Sequence, residues 1–476
     1  MTKFEMVAGL EIHVRLKTKT KLFCHCSNHT FSQEANSLIC PVCAGFPGTL
    51  PMLNQEAVSM AIKSSLALNC KIEKFSKFDR KSYFYPDLPA GFQISQLDFP
   101  IAKNGHIDFF INSKEKKSIR INRLHLENDA GKLMHEGKNS LVNLNRAGSP
   151  LVEVVTEPDF KSAEEVFFFL KEFQKIFRYI ETSDAYMEKG MMRCDVNISV
   201  KPKDSPLLGT KVEIKNMNSF SNAKKAVEIE FTRQCKLLNQ GEKIIQETRG
   251  FDAQKQITIS QRNKEESADY RYFPEPDLPP LIIEEQEIST IKNNLTMLPL
   301  EKMMILMEKF NLPFTQAEIL SADKKLITFF EQAVEISQSP QKTANWILSD
   351  LMALLNEKEI EIDQTKMTPK ILGNLVSLIE SGKISGKIGK EIFIELFETG
   401  QDPEKLIIEK NLIVLSDEGE IEKIIDEIIN QNEKIVQDFK NGKEKALGAL
   451  VGSVMKATKG KASPQIVNKI LREKLS

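Results

Sequence analysis

Residues 11–15 read Glu-Ile-His-Val-Arg. In an extended strand alternate side chains share a face, so Glu11, His13 and Arg15 point one way while Ile12, Val14 and Leu16 point the other. The same alternation sets His125, Glu127 and Asp129 opposite Leu124 and Leu126, sets Asp195, Asn197 and Ser199 opposite Val196, Ile198 and Val200, and pairs Glu213 with Lys215. These runs predict half-buried strands of an antiparallel sheet, and any one row alone reads as a solvated face. Together they combine carboxylates with His and Asn, the ligands that suit Mg²⁺ and a polar substrate. Glu153 stands among Leu151, Val152, Val154 and Val155, where an unpaired carboxylate is costly, so a partner or a metal is expected.

Outward from these strands, Pro, Gly and Asn clusters punctuate the first 295 residues. One helix interrupts them, with a capping box at Ser162 and Glu165 and an apolar stripe of Phe167, Leu170, Phe173, Phe177 and Ile180. All six His, all six Tyr and fifteen of twenty Pro precede residue 300, which places the chemistry there. Beyond it, spacings such as Trp346, Ile347, Leu351, Leu354 and Leu355 predict helices, and the breaker Gly400-Gln401-Asp402-Pro403 suggests a boundary near 405. The expected class is α+β: a β-rich antiparallel domain (1–295), an all-α domain (296–405) and a small helical tail (406–476). At 476 residues the chain exceeds one core, and 41% hydrophobic with 28% charged residues is a globular composition.

Cys24-x-Cys26 and Cys40-x-x-Cys43 bring four soft ligands in two close pairs, as a closed tetrahedral zinc site requires. Buried reduced thiols are the alternative, iron could stand in place of zinc, and His25 and His29 could compete as ligands. Cys70, Cys194 and Cys235 read as core residues. An odd total of seven cysteines excludes a fully paired disulfide scaffold. Neither a signal peptide nor a run of about eighteen apolar residues is present, so a cytoplasmic location is expected. The net charge is −1, yet residues 401–440 carry −6 and residues 441–476 carry +6, so the last segment could meet a polyanion. With no phosphate loop or dinucleotide fingerprint, any nucleotide must be held otherwise.

Longer blocks carry a resemblance. Gly9-Leu-Glu-Ile-His-Val-Arg-Leu16, Cys40-Pro-Val-Cys-Ala-Gly-Phe-Pro-Gly-Thr-Leu-Pro51 and Asp79-Arg-Lys-Ser-Tyr-Phe-Tyr-Pro-Asp-Leu-Pro89 resemble signature blocks of the B subunits of tRNA-dependent glutamyl/aspartyl amidotransferases. So do His125-Leu-Glu-Asn-Asp-Ala-Gly-Lys132, Met192-Arg-Cys-Asp-Val-Asn-Ile-Ser199, Glu213-Ile-Lys-Asn-Met-Asn-Ser219 and Asp269-Tyr-Arg-Tyr-Phe-Pro-Glu-Pro-Asp-Leu-Pro279. The tail around Val451-Gly-Ser-Val-Met-Lys-Ala-Thr-Lys-Gly-Lys461 extends the likeness over nearly the whole chain.

The resemblance implies a cradle-shaped, kinase-like domain, a helical domain and a YqeY-like tail that approaches tRNA. It implies a heterotrimer with an amidase (A) subunit, which releases ammonia from glutamine, and a small (C) subunit. ATP would phosphorylate the side-chain carboxylate of Glu-tRNA(Gln) or Asp-tRNA(Asn), and ammonia would displace the phosphate. By position in these blocks Glu11, His13 and Glu127 are the expected Mg²⁺ ligands, with Asp129, Glu153, Asp195 and Glu213 as further catalytic candidates. Arg15, Arg80, Lys81 and Arg146 are expected to bind phosphate or the substrate carboxylate, with Tyr83, Phe84 and Tyr85 lining the cleft and Lys456, Lys459 and Lys461 near tRNA backbone. Three departures from the family pattern stand out: Asn128 where an acid is usual, Gly250-Phe251 where a Trp-containing pair is common, and the run around Arg262. Two rivals remain, a non-enzymatic tRNA-binding scaffold of the same fold and a ligase for a free small carboxylate.

Overall fold

A computed structural model of the chain describes residues 3–263, 270–412, 418–440, 443–458 and 464–475. It divides into two compact units, Met1–Glu301 and Lys302–Ser476. Strands of the first unit run β1 (Phe4–Arg15), β2 (Lys71–Ile72), β3 (Phe75–Ser76), β4 (Asp79–Ser82), β5 (Phe92–Ser95), β6 (Ala102–Asn112), β7 (Glu115–Asn128), β8 (Lys132–Glu136) and β9 (Asn139–Asn143). They continue with β10 (Pro150–Thr156), β11 (Met192–Pro202), β12 (Val212–Met217), β13 (Glu247–Asp252), β14 (Ile257–Asn263), β15 (Phe273–Pro274) and β16 (Leu281–Ile282). Its main helices are α1 (Gln55–Ala67), α2 (Ala163–Tyr179) and α3 (Phe220–Asn239).

Nine strands form one sheet in the order β14-β13-β12-β11-β1-β10-β7-β6-β2. The class is α+β, as expected. The sheet departs from pure antiparallel pairing at one place, where α3 carries the chain between the parallel strands β12 and β13. Ile12, Val14, Leu124, Leu126, Val152, Val154, Val196, Ile198, Val212 and Ile214 bury the face that meets α1, α2 and α3. With one face consumed by this core, the period of two sends every alternate residue to the open face.

The α2 stripe differs from expectation by one position. Val166, Phe169, Leu170, Phe173, Ile176 and Phe177 are buried, whereas Phe167 is half-buried and packs edge-on to Phe168 with Lys171 and Lys224 above its ring. Phe169, not Phe167, continues the i, i+4 progression to Phe173 and Phe177. The Ser162 hydroxyl accepts from the Glu165 N–H at 3.1 Å, but the Glu165 carboxylate accepts from Lys161 N–H at 2.6 Å, one residue earlier than a capping box requires.

In the second unit Gly400 ends the helix Gly386–Thr399 at a φ of +73°, and Asp402 caps Pro403–Glu409. This short helix buries Leu406 and Ile407 and packs on the helix Pro369–Glu380, so the expected boundary near 405 falls inside an element joined to the preceding helices. Ile425, Leu447, Leu450, Val454, Val467, Ile470, Leu471 and Leu475 form a separate core.

Candidate active site on the open face of the sheet

Backbone register assembles the site. His13 of β1 pairs with Glu153 of β10 on one side and with Arg193 of β11 on the other, and Glu153 pairs in turn with His125 of β7. One rung across four strands thus reads Arg193, His13, Glu153, His125. Two residues along β1, Glu11 pairs with Asp195, while Glu213 of β12 pairs with Asn197. Parity predicted the rows of His13 on β1, His125 on β7, Asp195 on β11 and Glu213 on β12. Pairing places the rows side by side, at a spacing of about 5 Å between neighbouring strands.

Apart from Asn197, these groups line a cavity of ≈ 780 Å³ together with Lys81, Tyr83, Arg123, Lys215, Tyr270 and Tyr272. Glu153, which the sequence left in need of a partner, lies 3.3 Å from His13 Nε2 and 3.4 Å from His125 Nε2. Glu127 lies 3.6 Å from His13 and accepts from the Ser95 hydroxyl at 3.1 Å. Burial alone would push the His13 imidazole down, but Glu153 and Glu127 outweigh it and lift its pKa to about 9. Against its own burial, Glu153 is held well below the usual carboxylate range by His125 and His13. Glu11 is raised, by burial and then by Glu153. Lys215 bridges Asp195 at 2.6 Å and Glu213 at 3.1 Å, and the Thr248 hydroxyl donates to Glu213 at 2.8 Å.

Glu11, His13 and Glu127 therefore enter two overlapping donor sets, Glu11–His13–Glu153 and His125–Glu127–Glu153, each with its ligand atoms within 4.8 Å. Glu153 belongs to both. Imidazole and carboxylate donors converging on a floor with only partial cationic compensation fit a divalent cation, with the carboxylate oxygens as the donors that suit Mg²⁺.

The predicted phosphate binders separate. Lys81 reaches the cavity over the Tyr270 ring, and Glu127 and Tyr272 raise its pKa against the effect of burial. Arg15 turns off the end of its strand and donates to the Asn28 carbonyl at 3.3 Å, Thr30 at 3.1 Å and Ser149 at 3.4 Å. Arg80 forms a fork on Glu275 at 2.8 and 2.9 Å, adds Asp277 at 3.0 Å, and lines a different cavity of ≈ 290 Å³. Arg146 donates to the Ala130 and Gly131 carbonyls and stands 3.3 Å from Asp129. Phe84 and Tyr85 are exposed beside the cleft, whereas the Tyr83 hydroxyl donates to Gln93 at 2.7 Å.

Asn128 does not face the carboxylates. Its Oδ1 accepts from the Ile94 N–H at 2.6 Å and its carbonyl from Gln93 at 2.8 Å, so it ties β5 to β7. At Gly250 an added Cβ would collide with the Gln261 amide, and Phe251 is buried. Lys456 is exposed; Lys459, Lys461 and the side chain of Arg262 lie outside the described residues. Arg193, Arg123, Tyr270 and Tyr272 were not predicted. Arg193 shares the parity of Asp195, a signal present in the sequence, whereas Tyr270 and Tyr272 arrive from a loop that no periodicity marks.

Beside the ≈ 290 Å³ cavity, which Cys24 and Cys43 line, the sulfurs of Cys24, Cys26, Cys40 and Cys43 lie within 4.8 Å of one another, and His25 and His29 stay exposed outside the set. Cys43 Sγ is 3.9 Å from Cys40 Sγ, close to the ~3.8 Å edge of a tetrahedron with 2.3 Å metal–sulfur bonds. The Cys43 thiol is drawn down to about 4 by donation from Cys24, aided by the Cys40 N–H and by Lys21, whose fully buried ammonium lies 3.4 Å away. The donor set fits a structural zinc.

An α+β domain with a carboxylate–imidazole floor ringed by cations and tyrosines, and with a separate tetrathiol cluster, has the makings of a catalytic domain. The GatB/GatE catalytic domain matches residues 6–289, and the GatB domain matches residues 328–475. Similar relatives include the B subunit of the aspartyl/glutamyl-tRNA(Asn/Gln) amidotransferase of Persephonella marina, 51% identical over 99% of this chain and 100% of the relative. The counterpart in Carboxydothermus hydrogenoformans is 47% identical over the full length of both chains, and that in Thermotoga maritima is 48% identical over 99% of both. The chain belongs to the GatB family, the B subunits of aspartyl/glutamyl-tRNA amidotransferases. No helix among the described residues is long and apolar enough to cross a membrane.

Proposed function

We propose that this chain activates the side-chain carboxylate of Glu-tRNA(Gln), Asp-tRNA(Asn) or both with ATP and hands it to ammonia, acting in a cytoplasmic heterotrimer with an amidase and a small subunit. The observation that carries this reading is the rung of His13, Glu153 and His125 with Glu127 beside it, a cation-binding floor facing Lys81 and Arg193. Full-length likeness to subunits whose name states the tRNA substrates supports it.

In the first half-reaction a carboxylate oxygen of the substrate bonds to the terminal phosphorus, and the bond to the bridging oxygen breaks with its electron pair leaving on ADP. In the second, ammonia bonds to the acyl carbon, the carbon–oxygen bond breaks, and one ammonia proton leaves with the inorganic phosphate. A bound Mg²⁺ supplies charge neutralisation and orientation. Glu11, His13, Glu127 and Glu153 would hold it, Asp195 and Glu213 would provide a second acidic set moderated by Lys215, and Lys81 would meet phosphate oxygens. Burial of Glu153 and Glu127 keeps water from competing for their oxygens. The cysteine cluster with structural zinc would brace the loop that lines the ≈ 290 Å³ cavity, and the basic tail of 441–476 would lie toward tRNA backbone.

The test is label transfer from γ-phosphorus-32 ATP to Glu-tRNA in the assembled complex without an ammonia source, comparing wild type with Glu127→Gln. Incorporation by wild type and its loss by at least about 100-fold in the variant is expected. Absence of label in both with Glu-tRNA and Asp-tRNA, while tRNA still binds, would replace this reading with the scaffold one.

A further inference from the structure

Arg193 is a cation that the fold anchors at one atom and leaves otherwise unspent. Its Nη2 donates to Asp129 Oδ1 at 2.8 Å, and among the described residues no other hydrogen bond from its guanidinium is formed. A guanidinium has five N–H donors. The side chain is 42% exposed and opens both on the cation-binding cavity and on a neighbouring cleft of ≈ 720 Å³ lined by Tyr83, Asp87 and Arg146.

Asp129, in contrast, is buried, and Arg193, Arg146 and Arg15 all act on it. Three guanidiniums surround this one carboxylate, with Asp87, Glu127 and Asp195 acting on them from further away. Arg15 donates from Nη2 to Asn28, Thr30 and Ser149 and is buried away from the cavity, and Arg146 donates from Nε and Nη2 to the Ala130 and Gly131 carbonyls. Of the three, Arg193 alone lines the carboxylate–imidazole cavity, so its free donors are the ones that face it. Its strand partner is His13, so the guanidinium springs from the same rung as the cation-binding imidazole.

We propose that Arg193 grips the terminal phosphoryl group of bound ATP through its free N–H edge, and that Asp129 is the positioning residue that aims it; this rests on the function proposed above. The reacting groups decide between the two anions on offer. A substrate carboxylate loses its charge as it attacks, so a guanidinium fixed on it stabilises the ground state more than the transition state. The phosphoryl oxygens keep their charge while their bond to ADP breaks, so the same guanidinium placed there supports the whole transfer. A bidentate fork also matches two phosphoryl oxygens.

Calorimetric titration of the assembled complex with Mg·ADP and with the Mg complex of the imidodiphosphate analogue of ATP reads the contact without turnover. Arg193→Ala is expected to weaken the analogue by about 10- to 100-fold, the worth of hydrogen bonds to a charged group, and ADP by less than about 3-fold. Arg193→Lys is expected to recover only part of the loss, because a point charge replaces a fork. Asp129→Asn is expected to show the same selectivity with a smaller loss. Equal weakening of both nucleotides, or of neither, would overturn the inference. A raised KM for aminoacyl-tRNA with unchanged analogue binding would overturn it too, in favour of a carboxylate contact. Wild type that binds neither nucleotide would remove the proposed function itself, and this inference with it.

Discussion

Glu230 is a fully buried carboxylate on α3, far from the polar face, and its neutralisation tests how the sheet is braced. Its oxygens accept from Arg233 at 2.9 and 2.7 Å, from Gln234 at 2.9 Å and from Thr258 of β14 at 2.8 Å, with Arg249 of β13 at 3.5 Å. The carboxylate thus pins the β13–β14 hairpin to α3, and β13 in turn pairs with β12, which carries Glu213 and Lys215. Breaking a fully buried pair from one side costs about 3–5 kcal/mol. Here the loss is smaller. Arg233 is 26% exposed and keeps Glu247 at 3.5 Å, and Arg249 keeps Glu247 at 2.5 Å, so neither cation is stranded. Glu230→Gln preserves the shape and the Thr258 bond, and its cost is put at about 2–3 kcal/mol. For the unit Met1–Glu301 that lowers the transition temperature by roughly 3–5 °C. Scanning calorimetry of the chain and its variant measures the shift. A change below about 1 °C would show that the carboxylate contributes no more than an amide, and the bracing argument would fall.

The pH dependence of metal binding offers a second test. Coordination needs the neutral imidazole, and the His13 pKa of about 9 lies above its unfolded value of about 6.5. Magnesium affinity should therefore rise by about tenfold per pH unit from 6.5 toward 9, with His13→Gln removing the slope; a flat profile for wild type would exclude His13 as a ligand. The sign for metal-free stability is opposite. A raised folded pKa contributes stability that is complete below about 6.5 and lost as pH rises through about 9, so wild type should lose its advantage over His13→Gln across that window in urea titrations. Purified protein should contain one equivalent of zinc, and Cys43→Ser should lose it and lower the melting temperature. Protein without stoichiometric zinc by metal analysis would leave the tetrathiol cluster as reduced core cysteines.

What the sequence makes legible depends on distance along the chain. Parity within a strand is local, so the membership of Glu11, His13, Glu127, Asp195 and Glu213 in polar rows was legible. So was the clustering of Cys24, Cys26, Cys40 and Cys43, since short spacings limit where side chains can go. Arg15 shares the parity of His13, yet it sits at the strand end and turns to Asn28 and Thr30; parity orders a face and does not say where the strand stops. Arg80 reads as a free cation in its own stretch of chain, and Glu275, nearly two hundred residues later, takes up its fork.

The sequence by itself determined the alternation of each strand, the helical character of the second half and, through its long family-like blocks, the kinship. These follow from the 2- and 3.6-residue periods and from the identity of chain neighbours. Tertiary structure decided that Glu153 is shared by two donor sets, that Asn128 faces away from them, and that Arg193 stands on the rung of His13. Each depends on which strand lies beside which and in what register. That is set by burying one face of nine strands against three helices at once, a condition on the whole domain that no local stretch contains.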